Sequence, residues 1–153
     1  MPKFNTERRV NHSADEMFAL VADIEKYPEF LPMCEKLTVR GRSREGEREI
    51  LVADMTIAYA VVRETFTTQV TLDRPAFAID ADYINGPFHH LDSRWTFVPQ
   101  GEGACLVRFA IDYEFKSKML SAVMGSVFEG VFRKFGEAFE TRADTIYGKK
   151  ALT

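Results

Sequence analysis

The sequence predicts an α+β fold: a curved antiparallel sheet of about seven strands wrapped around a long C-terminal helix, with two short helices after the first strand. Three observations predict it. Apolar and polar residues alternate with period two through much of residues 34–115. Turn-forming residues cut that alternation into runs of strand length. Residues 117–147 then change to a helical period with a wide apolar face.

Taken in order, residues 3–11 form the first strand. Ser13-Ala14-Asp15-Glu16 follows as a capping box, in which Ser13 accepts from the Glu16 amide and Glu16 reaches back. A short helix comes next, with Met17, Leu20, Val21 and Ile24 on one face. Tyr27-Pro28-Glu29-Phe30-Leu31-Pro32 carries two prolines, which restrict it to a turn or a single helical turn.

The sheet begins near residue 34. Val62, Phe66, Val70 and Leu72 share one face of a strand, and Arg63, Thr65, Thr67, Gln69 and Thr71 share the other. The same alternation recurs at Phe77, Ile79, Ala81 and Tyr83. It recurs at Leu91, Ser93, Trp95 and Phe97, and again at Cys105, Val107, Phe109, Ile111, Tyr113 and Phe115. Breakers lie at Glu45-Gly46-Glu47, Asp73-Arg74-Pro75, Asn85-Gly86-Pro87 and Pro99-Gln100-Gly101-Glu102-Gly103. Connections this short make the strands antiparallel neighbours.

Ser117 is a suitable N-cap for the last helix. Leu120, Met124, Phe128, Phe132 and Phe139 form one stripe, and Met119, Val123, Val127, Val131 and Phe135 lie beside it. Gly125, Gly130 and Gly136 interrupt the helix at about 1 kcal/mol each relative to Ala. Close packing against the sheet, room for a ligand, or a bend would each account for them. The helix and the concave sheet cannot pack perfectly along their whole length, so a ligand cavity is expected between them.

Composition narrows the function. The 153 residues suit one domain spanning 1–153, and 46% hydrophobic with 28% charged residues is ordinary for a soluble globular chain. The net charge of -3 gives no global case for nucleic-acid binding, although it leaves a local basic patch open. There are 13 Phe, and a side chain with no polar handle must be buried or face something apolar. Cys34 and Cys105 are expected as free thiols in a reducing compartment. His12, His89 and His90 offer no metal-ligand spacing. The N-terminus has no signal-peptide core, and no run approaches the ~18 apolar residues of a membrane span. The expectation is a cytoplasmic protein that meets a membrane, if at all, from the side.

Several segments resemble a known family. Val10-Asn11-His12-Ser13-Ala14-Asp15-Glu16-Met17-Phe18, Val21 to Pro32, Gly86-Pro87-Phe88 with Leu91, Trp95-Thr96-Phe97 and Phe109 to Ser117 are similar to the coenzyme Q-binding START-domain family. That family sits within the polyketide cyclase/dehydrase and lipid-transport superfamily. The resemblance runs from about Phe4 to Tyr147 and implies the helix-grip (START-like) fold. It implies a chaperone for ubiquinone or another prenylated quinone that supports respiratory electron transport and quinone biosynthesis. The quinone would be cargo, with no cofactor and no metal. Some bacterial relatives are described instead as toxins acting on ribosome assembly, so a ribosome partner stands as the alternative.

The expected ligand-binding residues are Phe30, Leu31, Phe66, Tyr83, Phe88, Trp95, Phe109, Met124, Phe128 and Phe132. Trp95 is either core or a surface on which a ring or prenyl group stacks. Phe30, Leu31 and Phe88 lie in loops beside prolines, where they would form the cavity entrance and touch the inner membrane. A prenyl tail rewards such a cavity with about 0.8 kcal/mol per buried CH₂ relative to water.

No catalytic residue is assigned. Glu64 lies in register with Val62 and Phe66 and would be a general base if buried; a wet strand end or an ion pair is the plainer reading. His89-His90 reads as a surface strand start rather than a proton shuttle. Ser93 lacks the context of a nucleophile. A cyclase or aromatase reading would need polar groups converging in the cavity. From Lys116 to Lys150, Lys116, Lys118, Arg133, Lys134, Arg142, Lys149 and Lys150 outnumber Glu129, Glu137, Glu140 and Asp144 by three. Such a face suits an anionic membrane or ribosomal RNA as well as plain solvent.

Overall fold

A computed structural model describes residues 3–59 and 61–148; Lys149 and Lys150 of the basic count lie outside them. β1 (Lys3–Val10) leads into α1 (Ala14–Ala22) through the capping box. The Ser13 hydroxyl accepts from the Glu16 amide at 3.1 Å, and the Glu16 carboxylate accepts from the Ser13 amide at 3.0 Å. α1 buries Met17, Phe18, Leu20 and Val21. Asp23 leaves helical geometry, so Ile24 starts a 3-10 turn, Ile24–Glu29, rather than continuing the α1 stripe.

Six strands follow: β2 (Cys34–Glu45), β3 (Arg48–Tyr59), β4 (Val62–Asp73), β5 (Ala78–Asn85), β6 (Phe88–Pro99) and β7 (Cys105–Phe115). They form one antiparallel sheet with β1, in the order β1-β7-β6-β5-β4-β3-β2. The long helix α2 (Lys118–Tyr147) is capped by Ser117, whose hydroxyl accepts from the Leu120 amide at 3.1 Å. This is the START-like helix-grip fold.

Three details depart from strict alternation. Phe77 sits in the β4–β5 turn with φ 49, not in the strand row, and its ring packs on Phe18. Thr68 faces inward and is buried among apolar neighbours on β4. A bulge lies between Val39 and Gly41 in β2. Before it, Leu37 and Val39 pair with the inward-facing Met55 and Ala53. Beyond it, Arg42 and Arg44 pair with Leu51 and Glu49, which brings both arginines to the concave side. There Arg42 meets Glu25 of the 3-10 turn.

α2 lies along β1, β7 and β6. Phe128 packs on Tyr113 and Phe115, Phe132 on Phe4 and Phe109, and Phe139 on Trp95 and Tyr27. The end of α2 is pinned to the start of the chain. His12 meets Asp144, Arg8 meets Glu140 at 2.7 Å, and the Tyr147 hydroxyl donates to the Glu16 carbonyl at 3.2 Å. The beginning of α2 is held less. Met119 is 77% exposed and Val123 is also exposed, so the second apolar row is not a packing face there. Close packing does not explain two of the helix glycines, because a Cβ at Gly125 or Gly130 would meet nothing within 4 Å. At Gly136 it would reach only the Arg8 side chain at 3.4 Å.

No helix among the described residues is long and apolar enough to cross a membrane.

Candidate functional site: an apolar cavity beneath the long helix

Because α2 covers β1, β7 and β6, the curved far side of the sheet is left without a partner. A cavity of about 140 Å³ fills the gap. Its floor comes from β3 to β6: Met55 and Ile57, then Phe66 and Val70, then Ile79 and Ala81, then Leu91 and Trp95. α2 roofs it with Phe128, Val131, Phe132, Phe135 and Phe139, and the 3-10 turn closes one side with Ile24, Tyr27 and Leu31.

Of the ten residues expected from the sequence, Leu31, Phe66, Phe88, Trp95, Phe109, Phe128 and Phe132 line this cavity. Three do not. Met124 is buried but lies outside the lining. Tyr83 turns its hydroxyl to accept from the Phe88 amide at 3.0 Å. Phe30 packs outside, against Tyr27 and Phe139, with the Arg142 guanidinium 5.0 Å above its ring.

The expected entrance is also corrected. Phe88 is fully buried as the first residue of β6, stacked on Phe115 with ring centroids 4.7 Å apart. Leu31 is buried too. The Gly86 turn explains the placement of Phe88. A Cβ at Gly86 would fall 2.6 Å from the Phe66 Cβ, so only glycine lets the turn close this tightly. The loop bearing Phe30 is clamped rather than free. Arg142 on α2 donates to Glu29 at 2.8 Å and holds that carboxyl below its usual range.

The open apolar surface lies elsewhere. Val61 is 99% exposed beside the exposed Tyr59 at the β3–β4 hairpin, and Ile84 is exposed near the end of β5. Strand order and register bring that hairpin, the end of β5 and the start of α2 to the same end of the sheet. Met119 and Val123 complete an apolar rim there.

The cavity wall is uncharged. Among the described residues no carboxylate, imidazole, amine or guanidinium lines it, and Tyr27, Thr68 and Ser93 supply its only side-chain hydroxyls. Tyr27 donates to the Val21 carbonyl, and burial raises its pKa, with Cys34 and Asp23 adding to the rise. Glu64 is half-buried opposite Ile57 and does not line the cavity. His90 bonds Asp112 at 2.9 Å away from the cavity, and His89 is exposed. Burial pushes the Cys34 and Cys105 thiols up to about 11. Among the described residues no group of three His, Cys, Asp or Glu side chains is placed to hold a metal ion. The arrangement suits holding an apolar body.

Comparison with known proteins agrees with this geometry. The model of the family "Polyketide cyclase / dehydrase and lipid transport" matches residues 10–140. The chain is 35% identical to "Ribosome association toxin RatA" of Vibrio cholerae, over 97% of this chain and 100% of that protein. It is 27% identical to "Coenzyme Q-binding protein COQ10, mitochondrial" of Drosophila melanogaster, over 89% of this chain and 56% of that one. An 18 kDa protein of Caulobacter crescentus, solved in solution, is 30% identical. It superposes with a TM-score of 0.81 over 97% of this chain and 99% of its own. The chain belongs to the polyketide cyclase/dehydrase and lipid-transport family.

Proposed function

We propose that this protein binds a prenylated quinone beneath α2 and acts as a chaperone for it, without chemical turnover. The observation that carries the reading is the uncharged, aromatic-lined cavity. At about 140 Å³ it matches the space a single benzene-sized ring needs. A tail needs more room, and the weakly held start of α2 is where that room would open. The apolar rim at that end gives the ligand a route from a bilayer, flanked by Lys116 and Lys118, which have no ion pair among the described residues. Extraction from a bilayer gains less than transfer from water, because the tail is already in oil. That favours docking at the membrane over free circulation. Respiratory electron transport and quinone biosynthesis are the processes such a chaperone would serve.

The test is to purify the protein from a quinone-producing host and extract it for mass spectrometry. Added short-chain ubiquinone should quench Trp95, the single tryptophan, which lines the cavity. Co-purified quinone with saturable quenching supports the reading; neither signal overturns it.

A second reading, ribosome association, is favoured by the name of the relative at 35% identity over the full chain. Its basic face is modest. Arg133 and Arg142 are already paired with Glu129 and Glu29, which leaves Lys116, Lys118 and Lys134 without an ion pair among the described residues. Co-sedimentation with ribosomal subunits that weakens steeply with salt would support it; no association at low salt ends it.

A further inference from the structure

Two hydroxyl groups stand in the cavity wall with no hydrogen-bond partner among the described residues: Thr68 on β4 and Ser93 on β6. β5 lies between them. Thr68 is opposite Tyr83, and Ser93 is opposite Ala81, so the small Ala81 side chain leaves the space between them open. Thr68 is only 8% exposed and Ser93 is half-buried, and both side chains line the void. Some other hydroxyls are partnered. Thr56 meets Thr65 at 2.8 Å and Thr67 donates to Asp54 on the outer face, while Tyr27 in the cavity donates to Val21.

An apolar ligand filling the cavity would strip both hydroxyls of water, a cost that Val or Ala at these positions would avoid. The cost is recovered if a ligand supplies the missing partner. We infer that Thr68 and Ser93 recognise the oxygen atoms of the ligand, which is an apolar molecule bearing carbonyl or hydroxyl groups held against β4–β6. A hydroxyl both donates and accepts. The same two side chains therefore serve a ring carbonyl and the ring hydroxyl formed by its reduction. This rests on the reading of the cavity as the ligand site.

The test titrates Trp95 fluorescence with decylubiquinone and with decylbenzene, which has the same tail and no oxygen. Wild type, Thr68→Val, Ser93→Ala and Thr68→Ser are compared. Thr68→Val and Ser93→Ala should each weaken decylubiquinone about 3- to 10-fold, the worth of one net hydrogen bond. Decylbenzene binding should stay within about twofold, an interval well inside that loss. Thr68→Ser should restore decylubiquinone binding, and ligand-free Thr68→Val should melt no lower than wild type.

Unchanged decylubiquinone binding in both variants overturns the inference and leaves the cavity reading standing. So does an equal loss for both ligands, or a lower melting temperature for ligand-free Thr68→Val, either of which assigns the hydroxyls a structural part. If wild type binds neither compound, the cavity reading falls and the inference falls with it.

Discussion

The His12 imidazole is fully buried, with its Nε2 2.7 Å from the Asp144 carboxylate near the end of α2. The pair joins residues 132 positions apart and fixes the far end of the helix to the β1–α1 junction. Asp144→Ala would strand a buried ring nitrogen, at a cost of about 1–3 kcal/mol. At roughly 2–4 °C per kcal/mol for a chain this long, melting should fall by several degrees. Arg8→Ala breaks the neighbouring, more solvent-accessible pair with Glu140 and should cost less than Asp144→Ala, about 1 kcal/mol. Equal melting of Asp144→Ala and wild type would remove the pair's anchoring part.

Gly130 and Gly86 should respond in opposite directions. Gly130 is exposed in mid-helix with open space where a Cβ would go. Gly130→Ala should stabilise by about 0.5–1 kcal/mol in urea unfolding. Gly86 has φ 146 and the Phe66 backbone and Cβ against it, so Gly86→Ala should unfold at clearly lower urea. A destabilised Gly130→Ala would show that the helix bends there for a reason absent from its contacts.

The two cysteines impose an alkaline limit. Burial raises both thiols from the ordinary 9.0 to about 11, and Glu16 adds to the rise at Cys105. The folded chain therefore holds those protons more tightly than the unfolded chain. Their contribution is intact below pH 9 and is lost as pH climbs toward 11, where burial of Tyr27 acts in the same direction. Urea midpoints should fall from pH 9 to 11, and thiol reagents should label the protein only after unfolding. A flat profile, or rapid native labelling at pH 8, contradicts this.

Legibility in the sequence followed the range of the determining interactions. The caps at Ser13 and Ser117 depend on residues three positions away, and both form as the local pattern requires. The inward rows of β6 and β7 follow alternation because their apolar residues fall in step with the pleat. Thr68 is invisible to that pattern, since a polar residue on an inner face looks like a break in it. The β3–β4 hairpin carries no Gly, Pro, Asn or Asp to mark it. Loop position implied that Phe88 and Leu31 are exposed, but tertiary packing buries both. The exposure of Met119 and Val123 depends on where the axis of α2 crosses the sheet, which no local pattern encodes.

The β2 bulge has a consequence for the reach of the cavity. Up to Val39 the strand offers the interior a greasy wall; one inserted residue later, the same strand offers it guanidinium groups. Arg40, the extra residue, works as a phase shift that marks where oil gives way to ions. Pairing β2 straight through that point, with Arg40 kept in the ladder, would turn Arg42 and Arg44 outward and bring Gly41 and Ser43 in, removing the charged stop. The depth to which a greasy guest can penetrate is thus written into strand register as much as into the aromatic residues it would touch.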